Sequence, residues 1–163
     1  MDMTPWYTGS VHLHNGLRWL LLVLLVYGIF RHVMAWQQKK YYDIHDLKRN
    51  TWLMSTAHFM LVLGMFQWVV GPWGLKNIQN LGGMGAAMKD SVARFWAVEH
   101  LTGMFIAIIL ITIGRGFGKK GISDQMKHKK TFTFFIIALL VIIAVMPWPF
   151  RAGIGRPWFP GMH

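Results

Sequence analysis

Four long apolar segments, separated by short polar stretches, dominate the hydrophobic pattern of the chain. They cover residues 13–35, 51–70, 93–114 and 131–148. About 20 apolar residues in helical form cross the roughly 30 Å hydrocarbon layer of a membrane. The second and fourth segments contain no Asp, Glu, Lys or Arg, and both end at a proline, which stops a helix. The pattern therefore predicts four transmembrane helices.

The short polar stretches between these segments predict how the helices are arranged. Short connections favour antiparallel neighbours, so we expect an all-α integral membrane protein with an up-down-up-down bundle of four transmembrane helices. The bundle would form a single domain over residues 1–163. The longest connection, residues 71–89, is rich in Gly and Asn. We expect it to be a flexible cap or a contact for a partner.

The composition supports a membrane protein. Of the 163 residues, 54% are hydrophobic and only 14% are charged, against about a quarter charged in soluble proteins. A net charge of +11 is also typical of proteins that bind nucleic acid. The basic residues lie in the short connections between apolar segments, however, so we expect the lipid bilayer and no nucleic acid as a partner. The absence of Cys excludes disulfides, Cys zinc sites and thiolate-held iron–sulfur clusters.

The distribution of Lys and Arg predicts the orientation. Eleven of them lie in residues 31–49 and 115–130, and six lie on the other side of the predicted helices. Cytoplasmic loops carry the excess of Lys and Arg, so both termini should lie outside the cytoplasm. No basic region precedes the first apolar segment, which we interpret as a retained helix rather than a signal peptide. We expect a multi-pass protein of the bacterial inner membrane.

Ionisable residues within these segments are candidates for a functional site, because burying them in a membrane is costly. His58 lies in the second segment and His100 in the third, where it follows Glu99. His14 and Arg18 lie near the outer end of the first segment, four residues apart and so on one helix face. A single histidine can simply hold two helices together by hydrogen bonds. Three histidines in one half of a bundle favour a bound cofactor.

Haem b is the cofactor that these histidines favour. Histidine is an axial ligand of haem iron, and helical bundles hold such cofactors between facing helices. The chain has no Cys for covalent attachment, so the haem would be non-covalent. We favour His58 with His100 as the axial pair, since both lie deep in the membrane, and His14 with His100 is the alternative. A second haem at His14 or His128 is a weaker possibility.

Three charged residues complete the candidate site. Arg18 or Arg94 would pair with the anionic haem propionates. Glu99 is the only glutamate in the chain. It would exchange protons at a bound quinone or accept a hydrogen bond from a histidine. The alternative for Glu99 is an ion pair with Arg94 or Arg18.

The remaining histidines and the methionines give only weak indications of a binding site. His32 and His45 are expected to contact solvent or lipid headgroups, and His128 to lie in a solvated cap. Met54, His58 and Met65 share a helix face, and thioether ligands suit Cu(I). Copper therefore remains a weak alternative, although most methionines are expected to serve packing.

Several motifs carry a family resemblance that spans most of the chain. They are HLHNGLRWLLL, AHFMLVLGMFQWVVGPWG, MKDSVARFWAVEH, ILITIGRG and IAVMPWPFR. With them the chain resembles small four-helix membrane proteins, common in Bacteroidota, that are labelled cytochrome b. More loosely, it is similar to the CopD and HemJ type of membrane protein. The resemblance implies haem b and electron transfer, with His14, His58 and His100 at the matching positions.

The leading hypothesis is a b-type cytochrome of a respiratory chain that moves electrons between a quinol and a membrane or periplasmic partner. The alternatives are an accessory or structural subunit of a larger membrane complex, a copper or haem carrier, and a tetrapyrrole enzyme or sensor with one open axial position. We see no acid–base pair or nucleophile that would make a hydrolase. An electron-transfer protein or oxidoreductase subunit is therefore favoured over a stand-alone enzyme.

Overall fold

The computed structural model describes residues 4–159, which are mostly helical and contain no β-strand. The helices, in chain order, are α1 (Thr4–Gln37), α2 (Ile44–Val70), α3 (Leu75–Asn80), α4 (Met84–Ala87), α5 (Ser91–Arg94), α6 (His100–Gly116) and α7 (Asp124–Val145). A π-helical turn, Phe95–Glu99, joins α5 to α6, and a 3-10 turn, Phe117–Lys119, follows α6. Four of these helical segments are long and apolar enough to cross a membrane. The prediction of four such helices is confirmed.

Three helices begin several residues earlier than their apolar segments predict. Helix α1 starts at Thr4, α2 at Ile44 and α7 at Asp124. The earlier start of α2 is explained by its N-cap. The Asp43 carboxylate accepts a hydrogen bond from the backbone N of Asp46 at 2.8 Å, and the Asp46 carboxylate accepts one from the backbone N of Asp43 at 3.3 Å. This reciprocal capping satisfies amide groups that have no partner inside the helix.

The long helices pack around one apolar core. Helix α1 contacts α2 and α7, and α6 contacts α2 and α7 as well. Phe135 of α7 is fully buried between two glycines. A Cβ atom at Gly28 would lie 3.2 Å from the Phe135 ring, and one at Gly114 would lie 2.7 Å from it. The missing side chains on α1 and α6 therefore make room for this ring.

The outward faces of the long helices carry large apolar side chains. Val23 and Phe30 of α1, Val62 of α2 and Leu140 of α7 are each at least 60% exposed. Such surfaces are costly in water and are normal against lipid hydrocarbon. The apolar helices thus indicate a lipid bilayer around the protein.

The connection between α2 and α5 is packed against the bundle, which differs from the flexible cap that its composition suggests. It contains α3 and α4. Ile78 of α3 and Ala87 of α4 are buried, and they form a small cluster with Ala93 and Ala97 against Trp68.

The bundle has two chemically different ends. The start of α1 lies beside the end of α2, since Gln67 donates to the carbonyl of Ser10 at 2.9 Å. We call this end, with the start of α6 and the end of α7, the cavity end. The opposite end comprises residues 36–50 and 115–130, and we call it the basic end. Residues after α7 fold back over the cavity end, where the Arg156 backbone N donates to the Pro147 carbonyl at 3.0 Å.

Candidate functional site

A cavity of about 540 Å³ opens at the cavity end, bounded by α1, α2, α6, the end of α7 and the segment after it. Pockets for small molecules and cofactors measure about 300–1,000 Å³ and are lined mostly by apolar side chains. The apolar wall consists of Leu21, Ala57, Met60, Leu61, Leu101, Met104, Ile108, Ile142 and Met146. Its size and lining suit an apolar cofactor.

His14 and His100 both line this cavity. His14 comes from α1 and faces Gly64 of α2. A Cβ atom at Gly64 would lie 3.7 Å from His14 Nε2. The glycine therefore keeps the space beside this imidazole nitrogen open.

His100 is held in one orientation by the end of α7. Its Nδ1 lies 2.8 Å from the carbonyl oxygen of Val145, which is the last residue of α7. Carbonyls in the last turn of a helix have no partner within it. A carbonyl only accepts, so His100 Nδ1 carries the hydrogen, and in the neutral ring Nε2 carries the free lone pair. Metal-binding histidines characteristically donate their other N–H to a carbonyl or carboxylate in this way.

Three buried polar atoms with no hydrogen-bond partner within residues 4–159 lie on side chains that line the same cavity. They are Asn15 Oδ1, Arg18 Nε and Trp96 Nε1. Leaving a buried polar atom unpaired costs about 1–3 kcal/mol. The side chains that carry this one acceptor and these two donors line one cavity, which suits a ligand with polar groups of its own.

Two arginines place positive charge at the mouth of the cavity. Arg18 is 8% exposed, and its Nη2 donates to the carbonyls of Pro157 at 3.0 Å and Trp158 at 2.9 Å. The guanidinium carbon of Arg156 lies 4.7 Å from the ring centre of Trp96. Burial lowers the pKa of Arg156 from its usual value, but arginine stays protonated in proteins. An anionic group at this mouth would meet two cations.

His58 lies elsewhere. It is exposed on the outer surface of α2, and its Nδ1 donates to the Met54 carbonyl of the same helix at 2.9 Å. Its neighbour Ala57 lines the cavity, and successive helical residues point about 100° apart. The structure therefore brings His14, rather than His58, into one cavity with His100.

Arg94 and Glu99 also lie outside the cavity. Arg94 Nε and Glu99 Oε1 are 2.7 Å apart, and both side chains are well exposed. An ion pair with Arg94 was the alternative role expected for Glu99 from the sequence. Of the two arginines proposed for the propionates, only Arg18 reaches the cavity.

The expectation that His32 and His128 contact solvent is wrong. Both are almost fully buried, whereas His45 is exposed. Helix α1 continues to Gln37 and α7 begins at Asp124, so the two histidines face each other inside the bundle. Among the described residues, no group of three or more His, Cys, Asp or Glu side chains is arranged to hold a metal ion.

Asn15, Trp96, Gln67 and Arg156 line the cavity but were missed by the sequence reasoning. Trp96 precedes His100 by four residues, a spacing that places both on one helix face. Asn15 adjoins His14 directly. Arg156 belongs to an irregular segment after α7, where no periodicity reveals which way a side chain points.

Comparison of the chain with protein-family models, with curated proteins and with solved structures found no match. The resemblance to membrane proteins labelled cytochrome b therefore stays a prediction, and the site is interpreted from its own geometry.

Proposed function

We propose that the cavity binds one non-covalent haem b, whose iron His14 and His100 would hold, and that the protein transfers electrons within the membrane. One observation carries the proposal. His100, whose Nδ1 hydrogen is engaged by Val145, shares a cavity of cofactor size with His14. When bound, haem supplies a one-electron carrier whose potential depends on its ligands and surroundings.

Besides the two histidines, the polar atoms on the side chains that line the cavity are suited to haem. A haem has an apolar macrocycle with two anionic propionates. The apolar wall fits the macrocycle, and the unpartnered Arg18 Nε and Trp96 Nε1 are hydrogen-bond donors for carboxylates. Arg156 adds a second positive charge at the mouth.

The residues of the chain would have separate roles in such a site. The Val145 carbonyl orients His100 and raises the basicity of its Nε2. Gly64 keeps space beside His14. The apolar wall excludes water, which sets the dielectric around the cofactor and with it the potential. The segment that carries Pro157 covers the mouth.

Absorption spectra of the purified protein test this proposal. The protein is produced with added haem precursor, purified in mild detergent and measured oxidised and dithionite-reduced. We expect a low-spin b-type spectrum that disappears in His14→Ala and in His100→Ala. His58→Ala is the matched control and should keep the full signal. Loss of the signal in His58→Ala with retention in His14→Ala would overturn the assignment of the ligands.

Two other spectral outcomes also count against the proposal. A haem-replete preparation without a Soret band would exclude a cytochrome and favour an accessory subunit. A high-spin spectrum that shifts with CO would indicate one open axial position, as in a sensor or tetrapyrrole enzyme.

The same unpartnered donors favour one second candidate, a quinone. Arg18 Nε and Trp96 Nε1 would suit its carbonyl oxygens, and the apolar wall would suit its ring and tail. Solvent extraction of the pure protein, with chromatography of the extract, detects such a ligand. In that case Trp96→Phe should lower the quinone content, and the haem spectrum should be absent.

We further propose an up-down-up-down topology in the bacterial inner membrane, with both termini outside the cytoplasm and a membrane or periplasmic redox partner. The excess of Lys and Arg at the basic end supports this orientation. The chain has no Cys, so a single introduced cysteine reports on which side of the membrane its position lies. In intact cells a membrane-impermeant maleimide should label Lys76→Cys, at the cavity end, and leave Lys40→Cys unlabelled. The reverse labelling would contradict the orientation.

A further inference from the structure

A second cavity of about 420 Å³ lies at the basic end, between the start of α2 and the end of α6. We call it the basic groove, and it is lined by Leu47, Lys48, Thr51, Trp52, Ser55, Arg115 and Lys119. It shares no lining residue with the cofactor cavity. Its role is therefore independent of the proposed haem.

Three cations line the basic groove, and no carboxylate of the described residues neutralises them. Each acidic side chain between residues 4 and 159 is engaged elsewhere. Asp43 and Asp90 cap helices, Asp46 pairs with Arg31 and Arg49, Glu99 pairs with Arg94, and Asp124 pairs with Lys127. Lys48, Arg115 and Lys119 thus give the groove a net positive charge.

Arg115 is positioned by a short hydrogen-bond chain. The Thr51 hydroxyl donates to the Leu47 carbonyl at 2.8 Å and accepts from Arg115 Nε at 3.1 Å. The bond engages Nε alone, and Nη1 and Nη2 make no hydrogen bond within the described part of the chain. A planar guanidinium held in this way can present two donors to a phosphate.

The two lysines of the groove differ from other lysines at the basic end. Four of the latter hold their ammonium groups against aromatic rings: Lys120 and Lys130 against Phe117, Lys127 against Tyr42, and Lys129 against Trp36. Lys48 and Lys119 are exposed and make no such contact within residues 4–159. Their charges remain available to a ligand.

We propose that the basic groove binds the phosphate headgroup of an anionic phospholipid. The groove lies where the apolar run of α2 begins, and Trp52 beside it is 71% exposed, as is usual for tryptophan at a membrane interface. Basic pockets between transmembrane helices are suited to anionic headgroups. The acyl chains would lie along the exposed apolar surface of the neighbouring helices.

Native mass spectrometry with defined lipids tests this proposal. The full chain, purified in detergent, is titrated with dioleoylphosphatidylglycerol and, separately, with dioleoylphosphatidylcholine. We expect tighter binding of the anionic lipid to the wild-type protein. The double variant K48Q/K119Q should weaken that binding by about tenfold or more, because each basic residue near a surface contributes appreciably. The double variant K40Q/K129Q removes the same charge outside the groove and should bind as the wild type does.

Three results would overturn the proposal. Equal weakening in both double variants would mean that general surface charge, not the groove, attracts the lipid. Equal affinity of the wild type for the two lipids would mean that the groove does not recognise an anionic headgroup. Competition by millimolar inorganic phosphate would identify a soluble phosphate as the ligand. Thermal unfolding of each variant in detergent verifies that the compared proteins are folded.

Discussion

The Nδ1 atoms of His32 and His128 lie 2.8 Å apart inside the bundle, so one imidazole of α1 is hydrogen-bonded to one of α7. His128 Nε2 lies 3.4 Å from the Tyr41 carbonyl, which only accepts. In a neutral pair, His128 therefore carries its hydrogen on Nε2, and His32 donates through Nδ1. His32 Nε2 then accepts from Asn50 Nδ2 at 3.0 Å.

Asn50 extends this hydrogen-bond chain to Tyr42. Its Nδ2 also donates to the Tyr42 hydroxyl at 3.0 Å. Burial raises the pKa of Tyr42 to about 12, so this hydroxyl stays protonated at neutral pH. The network thus joins α1, α2 and α7 at the basic end through polar groups that satisfy one another.

Removing one histidine of this pair should destabilise the protein. His128→Ala leaves the buried Nδ1 of His32 without its partner, and an unsatisfied buried group costs about 1–3 kcal/mol. We expect a clear fall in the melting temperature measured in detergent. His45→Ala, which changes an exposed histidine at the same end, should leave the melting temperature unchanged. An equal fall in both variants would contradict a special role for the buried pair.

The apolar runs suffice to predict the long helices but not how far the helices extend. Residues 44–50 are mostly polar, and a hydropathy pattern does not mark them as part of α2. Their helical state comes from the cap at Asp43 and from the burial of Asp46 and Asn50 against neighbouring helices. Such contacts between helices are not encoded in any local periodicity.

The candidate site was only partly predictable for a related reason. Within 51–70, helix α2 has no charged residue, so no polar face indicates which side turns inward. The pattern therefore did not reveal that His58 is exposed while Gly64 lines the cavity. On α1, by contrast, the spacing of His14 and Arg18 correctly placed both on one face, and both line the cavity.

Gly103 is predicted to tolerate no side chain. A Cβ atom there would lie within 3.0 Å of three carbon atoms of Val145, whose carbonyl orients His100. Overpacking of this kind costs about 1–3 kcal/mol. Gly103→Ala should therefore lower the melting temperature. Gly16→Ala is the matched control, because nothing lies within 4 Å of its Cβ position, and alanine in a helix is favoured over glycine by about 0.5–1 kcal/mol. Equal melting temperatures for the two variants would refute the proposed close packing of α6 and α7.

The N-cap of α2 predicts a pH-dependent contribution to stability. The hydrogen bond from the Asp46 backbone amide lowers the pKa of Asp43 below its usual value. A depressed carboxyl pKa stabilises the fold above the unfolded pKa, and this stabilisation is lost as the pH falls through the folded pKa. At neutral pH, Asp43→Ala should cost about 1 kcal/mol. The difference in melting temperature between wild type and variant should shrink below about pH 4.

Asp43→Asn provides the control for this titration. Asparagine caps a helix about as well as aspartate, but it does not ionise. This variant should keep most of the stability at neutral pH. Relative to it, the wild type should lose stability on acidification. A constant difference between the two proteins from pH 7 to pH 3 would show that the Asp43 charge contributes nothing to the cap.

Arg18 is predicted to hold the segment after α7 over the cavity. Its Nη2 donates to the carbonyls of Pro157 and Trp158, and Trp19 Nε1 donates to the Trp158 carbonyl at 2.7 Å. Hydrogen bonds to charged groups contribute about 1.5–3 kcal/mol each. In Arg18→Ala we therefore expect hydrogen exchange in residues 150–158 to accelerate by about tenfold or more. Arg94→Ala removes an arginine that bonds Glu99 and the Met88 carbonyl and makes no hydrogen bond to residues 150–158, and its exchange there should match the wild type. Unchanged exchange in Arg18→Ala would mean that the other contacts, such as the hydrogen bond and the stacking between Trp19 and Trp158, keep the segment closed without Arg18.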